Sequence, residues 1–273
     1  MESAAGGSRT GRNLPAAVAV GVGLGAAVIL SLYTVKALFL AVVLAAVGVG
    51  VAELVQALAT RGIRVPLVPV LAALAAMLAG AYWGGPVWLV GIFALAVLVL
   101  MVGRMFAGTE GYVRDAAATV LVTVYPALLA GFVALLLRPG DGPDRVVLFI
   151  ATTVASDIGG YFAGISFGRH KMSPVISPKK TWEGFAGSAL ACMVVGGWLT
   201  AWLLEADVWK GVLVGAVVVV AATLGDLVES VIKRDLGIKD MGSVLPGHGG
   251  LMDRLDSLVA ALIPVWALLT LLI

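Results

Sequence analysis

Thirteen residues, Leu245 to Ser257, read LPGHGGLMDRLDS and hold His248, Asp253, Arg254, Asp256 and three glycines. They sit in a chain of 273 residues that is 61 % hydrophobic and only 12 % charged. Just upstream, GDLVESVIKR from Gly225 places Asp226, Glu229 and Lys233 at i, i+3 and i+7, on one face of a helix, with Ser230 and Arg234 flanking. Asp253 and Asp256 lie one turn apart at the start of the last apolar run. Two helix ends bearing carboxylates are thus tied by a glycine-rich loop that carries Lys239, Asp240, His248, Gly249 and Gly250. Hard cations such as Mg²⁺ take a few carboxylates and complete their shell with substrate phosphates. Phosphates take Lys, Arg and the backbone N–H groups that glycines leave accessible. The set therefore suits a metal-assisted reaction on phosphates at a membrane surface. Singly, each residue has a plainer role: the cations mark topology, Asp253 caps a helix, His248 orders a loop. Those plainer roles do not call for Asp, His and Gly-Gly together, and charge in so apolar a chain is costly.

A second charged stretch, SPKKTWEG from Ser177, sets Lys179 and Lys180 beside Thr181 and Trp182. Pro178 cannot donate a hydrogen bond and fixes the turn. Trp182 favours an interfacial position, with stacking on a base as the lesser reading. Glu183 pairs with a lysine or joins the polar site. Asp157 interrupts an apolar run and is expensive there unless it faces a polar cavity, so it is placed in one, near the metal. Glu53, close to the end of an apolar run, reads as an interfacial carboxylate without a part in the chemistry.

These residues must be positioned by elements that live in lipid. A soluble domain carries about 25 % charged residues, and the mean hydropathy here is +1.07. Only helices and closed barrels satisfy the backbone in a bilayer. The apolar runs are continuous rather than alternating, which selects helices. Nine are expected, at about 14–34, 37–58, 66–83, 86–103, 117–137, 145–165, 184–204, 208–225 and 257–273. The first two are parted only by a short break near Tyr33 to Lys36, and the first exceeds the apolar core of a cleaved signal peptide. The fold class is all-α and polytopic. Residues 1–13 are a polar, flexible N-terminus; residues 14–273 form one membrane domain, whose catalytic half is about 145–273.

Of the eighteen Lys and Arg residues, only Lys36, Arg138, Arg145 and Lys210 fall on one side of these spans; the other fourteen fall on the opposite side. The excess marks the cytoplasmic face. It puts the N-terminus in the cytoplasm and the C-terminus outside, in a cell inner (plasma) membrane. The long loops 166–183 and 226–256 are then both cytoplasmic. The single cysteine, Cys192, lies within an apolar run and reads as a small buried residue.

The stretch Ser230 to Asp256, SVIKRDLGIKDMGSVLPGHGGLMDRLD, resembles the signature of the phosphatidate cytidylyltransferase (CDP-diacylglycerol synthase) family. The likeness runs through Ser230, Lys233–Arg234, Lys239–Asp240, LPGHGG, Asp253–Arg254 and Asp256, without a gap. It extends upstream to DIGGYFAGISFGRHK from Asp157 and to SPKKTWEG. The first 150 residues match the family only in hydropathy. The resemblance implies transfer of a cytidylyl group from CTP to phosphatidate, release of pyrophosphate, a need for Mg²⁺ with or without a second cation, and a homodimer. No nucleic acid is expected as a partner.

The residues suit that reaction. The acceptor is itself a phosphate monoester carrying nearly two charges, so it needs no strong base. It needs relief from repulsion by the incoming triphosphate, which metal ions and cations supply. Asp226, Asp253 and Asp256 are the expected metal ligands, with a salt bridge to Arg254 or Lys239 as the plainer role of Asp256. His248 and Lys233 complete the catalytic set. Substrate contacts are expected from Asp157, Ser177, Lys179, Lys180, Thr181, Ser230, Arg234, Lys239, Asp240, Gly249, Gly250 and Arg254. Three other readings fit less well. A CDP-alcohol phosphotransferase would show a DG…AR…G…D…D pattern along a helix, and none appears. A transporter gives no reason for a Gly-Gly loop amid clustered cations. A CTP-dependent polyprenol or phytol kinase joins CTP to a lipid but acts on a hydroxyl, where a base matters more.

Overall fold

The computed structural model describes residues 14–242, 244 and 249–273, with the side chains of 14–22 and 24 outside that description. The expected flexible segment 1–13 and His248 lie outside the described residues. The chain is almost wholly helical: α1 (Leu14–Thr34), α2 (Lys36–Ala59), α3 (Leu67–Ala79), α4 (Pro86–Met105), α5 (Tyr112–Val122), α6 (Leu129–Leu137), α7 (Gly142–Phe167), α8 (Trp182–Leu203), α9 (Val208–Leu236) and α10 (Met252–Leu272). A π-helical turn, Gly80–Gly84, extends α3, and another, Thr123–Leu128, joins α5 to α6 around Pro126. Proline has no N–H to give and crowds the preceding carbonyls, which is why the wider turn falls there. Among the described residues, eight continuous helices are long and apolar enough to cross a membrane.

Eight of the nine expected spans are found among the described residues, with three shifts, and α1 lies where the remaining one was expected. The fifth starts at Tyr112 rather than 117, because Arg114 and Asp115 belong to the helix. Asp115 is 1 % exposed and is held by Arg104 Nε at 3.0 Å, Arg114 Nε at 3.2 Å and the Arg64 amide at 3.2 Å. Paired charge of this kind can enter a helical interior. The eighth continues past Gly225 to Leu236, and the last begins at Met252 instead of 257. The turns that carry Asp226, Glu229, Lys233, Asp253 and Asp256 are helical, as their spacing implies, and the loop between them is correspondingly shorter than 226–256.

A second difference lies in the loop 166–183. It contains a two-stranded antiparallel hairpin, β1 (Lys171–Ser173) with β2 (Ser177–Thr181). Pro178 is accommodated because both strands are edges.

The two ends of the bundle use cations differently. At the end opposite the hairpin, Lys36 Nζ donates to the carbonyls of Leu137 (3.0 Å) and Pro139 (2.5 Å). Arg145 donates to the Leu269 carbonyl at 3.1 Å and pairs with Asp141 at 2.9 Å. These cations add a charged donor to carbonyls at or just past helix C-termini and oppose the negative end of the dipole. At the hairpin end, cations gather around the α7–α10 termini.

Candidate active site

Helices α7, α8, α9 and α10 pack in chain order. α7 and α8 meet backbone to backbone: a β-carbon added at Gly159 would stand 2.6 Å from the Gly187 carbonyl oxygen. Ser188 donates to the Ser156 carbonyl at 2.6 Å across the same seam. Small residues are what permit this approach. At the hairpin end, Thr181 caps α8 by accepting the Gly184 amide at 3.1 Å. The base of the hairpin is fixed by Glu183, which accepts the Arg169 amide at 3.1 Å and pairs with His170 at 2.6 Å. Glu183 thus pairs with histidine rather than with a lysine.

A cavity of about 320 Å³ opens between α7, the hairpin, α8 and α9. Six of the expected residues line it: Asp157, Ser177, Lys179, Lys180, Thr181 and Asp226. Trp182 is not among the lining residues and is 56 % exposed. The cavity is polar at its hairpin side, so Asp157 is not left in lipid.

Asp226 is the junction between the cavity and the signature helices. Its Oδ2 lies 2.6 Å from Lys180 Nζ, and its Oδ1 accepts the Ser230 hydroxyl at 3.2 Å. One turn on, Glu229 is fully buried and its Oε2 lies 3.1 Å from Lys233 Nζ. Lys233 in turn reaches Asp253 Oδ1 at 2.7 Å, linking α9 to α10. Asp253 Oδ2 accepts the amides of Met241 (2.9 Å) and Gly250 (3.1 Å), one from each limb of the loop. Asp256 is buried, and its Oδ1 accepts the Ser257 amide at 2.6 Å. Asp157 is close enough to feel the charges of Asp256, Asp226, Lys180 and Arg254. Arg234, Lys239 and Asp240 are exposed, and none of the three lines the cavity. Gly249 adopts φ +83° and approaches Asp240 and Asp253.

Two further carboxylates belong to this region: Glu229, which shares the Asp226 face, and Glu53, expected only at the interface. Both are buried, Glu229 at 0 % and Glu53 at 3 % exposure. Glu53 accepts the Met252 amide at 2.9 Å, 199 positions away. One signal was available for each, a carboxylate inside a long apolar helix.

Among the described residues, no group of three or more His, Cys, Asp or Glu converges on a point that could hold a metal ion by itself. Mg²⁺ does not require one: it is commonly bound by one or two carboxylates, with water and substrate phosphates completing its shell. The donors here are of the right kind. Asp157, Asp226 and Asp256 act on one another electrostatically, and buried Glu229 faces Asp256 and Lys233. Carboxylates gathered in this way are the donor type that a hard divalent ion takes, so the residues fit such an ion in kind.

Comparison with known proteins gives a consistent picture. The sequence pattern of the cytidylyltransferase family matches residues 15–272. Phosphatidate cytidylyltransferase of Mycobacterium leprae is 42 % identical over 290 residues, covering 97 % of this chain and 90 % of its own. The protein of the same name from Mycobacterium bovis is 42 % identical over 279 residues, covering 97 % and 91 %. That of Brucella suis is 42 % identical over 180 residues, covering 60 % of this chain and 66 % of its own.

Proposed function

The chain belongs to the cytidylyltransferase family, and we propose that it transfers a cytidylyl group from CTP to phosphatidate, yielding CDP-diacylglycerol and pyrophosphate. Beyond the family, one observation supports the reading most. Two lysines expected to bind phosphate, Lys180 and Lys233, each sit on a carboxylate expected to bind metal, Asp226 at 2.6 Å and Asp253 at 2.7 Å.

The reaction joins a phosphatidate oxygen to the α-phosphorus of CTP and breaks the bond from that phosphorus to the bridging oxygen of pyrophosphate. No proton need be removed from a phosphate that is already ionised. The chain has to bring two anions together and neutralise the leaving group. Lys179 and Lys180 in the hairpin receive the triphosphate. Lys180 exchanges Asp226 for a phosphate oxygen, and Lys233 exchanges Asp253 in the same way. Asp226, Asp253 and Asp256 would hold Mg²⁺, which when bound neutralises phosphate charge and polarises the α-phosphorus. Arg254, Arg234 and Lys239 add positive charge around the loop, where Ser230, Asp240, Gly249 and Gly250 supply polar and backbone contacts.

The bundle spans a bacterial plasma membrane nine times if α1 is counted, with the hairpin, the signature loop and the N-terminus in the cytoplasm. The split of fourteen cations against four supports this orientation. Of the outer four, Lys36 and Arg145 hold carbonyls near helix ends and Lys210 pairs with Asp207. Assembly as a homodimer rests on the family likeness alone.

The test is an assay with labelled CTP and phosphatidate. Label from the α-position entering lipid supports cytidylyl transfer. Label from the γ-position entering lipid marks a kinase, and label entering from neither position excludes both.

A further inference from the structure

The first half of the chain touches the signature loop at both of its ends, and both contacts come from α2 and the residues just after it. Arg61 donates from Nε to the Leu236 carbonyl at 3.0 Å and from Nη2 to the Asp235 carbonyl at 3.3 Å. Those carbonyls end α9, where Gly237 takes φ +71° and Ile238 donates back to Lys233 O at 2.9 Å. A β-carbon at Gly237 would stand 2.8 Å from Arg61 Nη2, so the guanidinium occupies the space a side chain would need. Eight residues earlier, Glu53 grips the start of α10 by accepting the Met252 amide at 2.9 Å.

α10 needs such an acceptor. Its N-cap is Leu251, whose side chain cannot accept a hydrogen bond. The first turn of a helix has unpaired N–H groups and a partial positive charge, and a carboxylate there satisfies both. Glu53 supplies from another helix what an Asp or Ser cap would supply locally. Asp253, inside the turn, reaches back to Gly250 and Met241, so both carboxylates grip the residues around this turn. Glu53 fills the space that a β-carbon at Gly242 would require, and one at Gly250 would stand 2.9 Å from its Oε2. Gly50, one turn before Glu53, lies against Met252 Sδ, so the backbone of α2 also abuts this turn.

We infer that Glu53 is a positioning residue for cytidylyl transfer: it sets the first turn of α10, and with it Asp253 and Asp256, in register with the α9 end that Arg61 holds. This rests on the transfer reading above. The hairpin lysines are not touched by Glu53, so its loss should misplace the carboxylates without removing the triphosphate cations. Misplacement by about 1 Å can cost roughly 100-fold in rate.

The experiment compares the full-length wild type with Glu53→Ala and Glu53→Gln in detergent, using CTP and phosphatidate. Wild type without cytidylyl transfer would refute the functional reading, not the positional one. Given active wild type, Glu53→Ala should lower kcat by about 10- to 100-fold while the KM for CTP moves less than about threefold. Glu53→Gln, which keeps an acceptor oxygen, should hold kcat within about threefold of wild type. Hydrogen exchange should quicken at amides 241–252 in the alanine variant and stay unchanged in α8. An alanine variant with wild-type kcat would overturn the inference. So would a glutamine variant as impaired as alanine, or a loss spread over kcat and KM alike. If alanine fails to fold, Glu53→Asp decides, since it keeps the charge and shortens the reach: faster exchange confined to 241–252 with reduced kcat supports the inference, and wild-type exchange with wild-type kcat overturns it.

Discussion

The Lys180 ammonium lies 2.6 Å from the Asp226 carboxylate, so the hairpin and α9 are joined by a charge pair at the wall of the cavity. Lys179, its neighbour, lines the same cavity with no such pairing among the described residues. The two lysines should therefore respond differently to removal. Lys179→Ala should raise the KM for CTP by about tenfold, one charge-assisted phosphate contact's worth, with kcat nearly unchanged. Lys180→Ala should raise that KM and also lower kcat, because it frees Asp226 and unties the hairpin. Steady-state kinetics with CTP and phosphatidate varied separately decide this. Equal effects on both KM values would count against a nucleotide-binding hairpin.

The orientation can be checked with reporter fusions at Arg12, Lys171, Lys239 and Ile273. The first three should report cytoplasm and Ile273 the outside. A cytoplasmic signal at Ile273 would break the nine-span arrangement, since an even number of crossings would then be needed.

How much of this was legible in the sequence differs from element to element. The spans were, because crossing a bilayer demands about 20 apolar residues and leaves little else for them to be. The hairpin was not. Its strands have three and five residues, too short for alternation to show, and Pro178 argued against a strand. The start of α5 was missed because Arg114 and Asp115 look like a loop until Arg104 is brought beside them. In the site, the spacing of Asp226, Glu229 and Lys233 could be read from helical periodicity, and so could Asp253 with Asp256. The contacts that join these segments could not. Lys180 to Asp226, Lys233 to Asp253 and Glu53 to Met252 all depend on how helices pack, and periodicity within one helix carries no information about its neighbour.

Arg145 offers a control at the opposite end of the bundle. It is 9 % exposed and holds the Leu269 carbonyl and Asp141. Arg145→Ala should cost about 1 kcal/mol of stability, by removing a charged donor from the Leu269 carbonyl, which keeps the Ile273 amide, and the pair with Asp141. Both KM values should stay as in wild type, since the site is on the other face. A thermal midpoint unchanged from wild type, or a shifted KM for CTP, would contradict this division between structural and substrate-binding cations.

Asp253 carries the most informative substitution. Its Oδ1 takes Lys233, and its Oδ2 takes the amides of Met241 and Gly250. Asn is nearly the same size and caps a helix about as well. It has only one acceptor oxygen, though, so in Asp253→Asn either the lysine or the two amides must face an NH₂ group. The charge that would hold Mg²⁺ is lost as well. Both effects lower turnover, and a fall in kcat of at least about 100-fold is expected on either ground. The magnesium titration separates them. If Asp253 is a metal ligand, the midpoint for Mg²⁺ should move up by about tenfold or more. If Asp253 serves only to clasp the loop, kcat should fall at every Mg²⁺ concentration with the midpoint in place. The double variant Asp253→Asn, Lys233→Met adds a second arm. It also removes the cation that pairs with buried Glu229, so it should be less stable than the single variant, and its thermal midpoint is measured beside its activity. Activity should not return, because the same change removes a phosphate-binding lysine and restores no metal ligand. Recovery of turnover in the double variant, with an unmoved Mg²⁺ midpoint in the single one, would reduce Asp253 to the partner of Lys233 and leave the metal to Asp226 and Asp256.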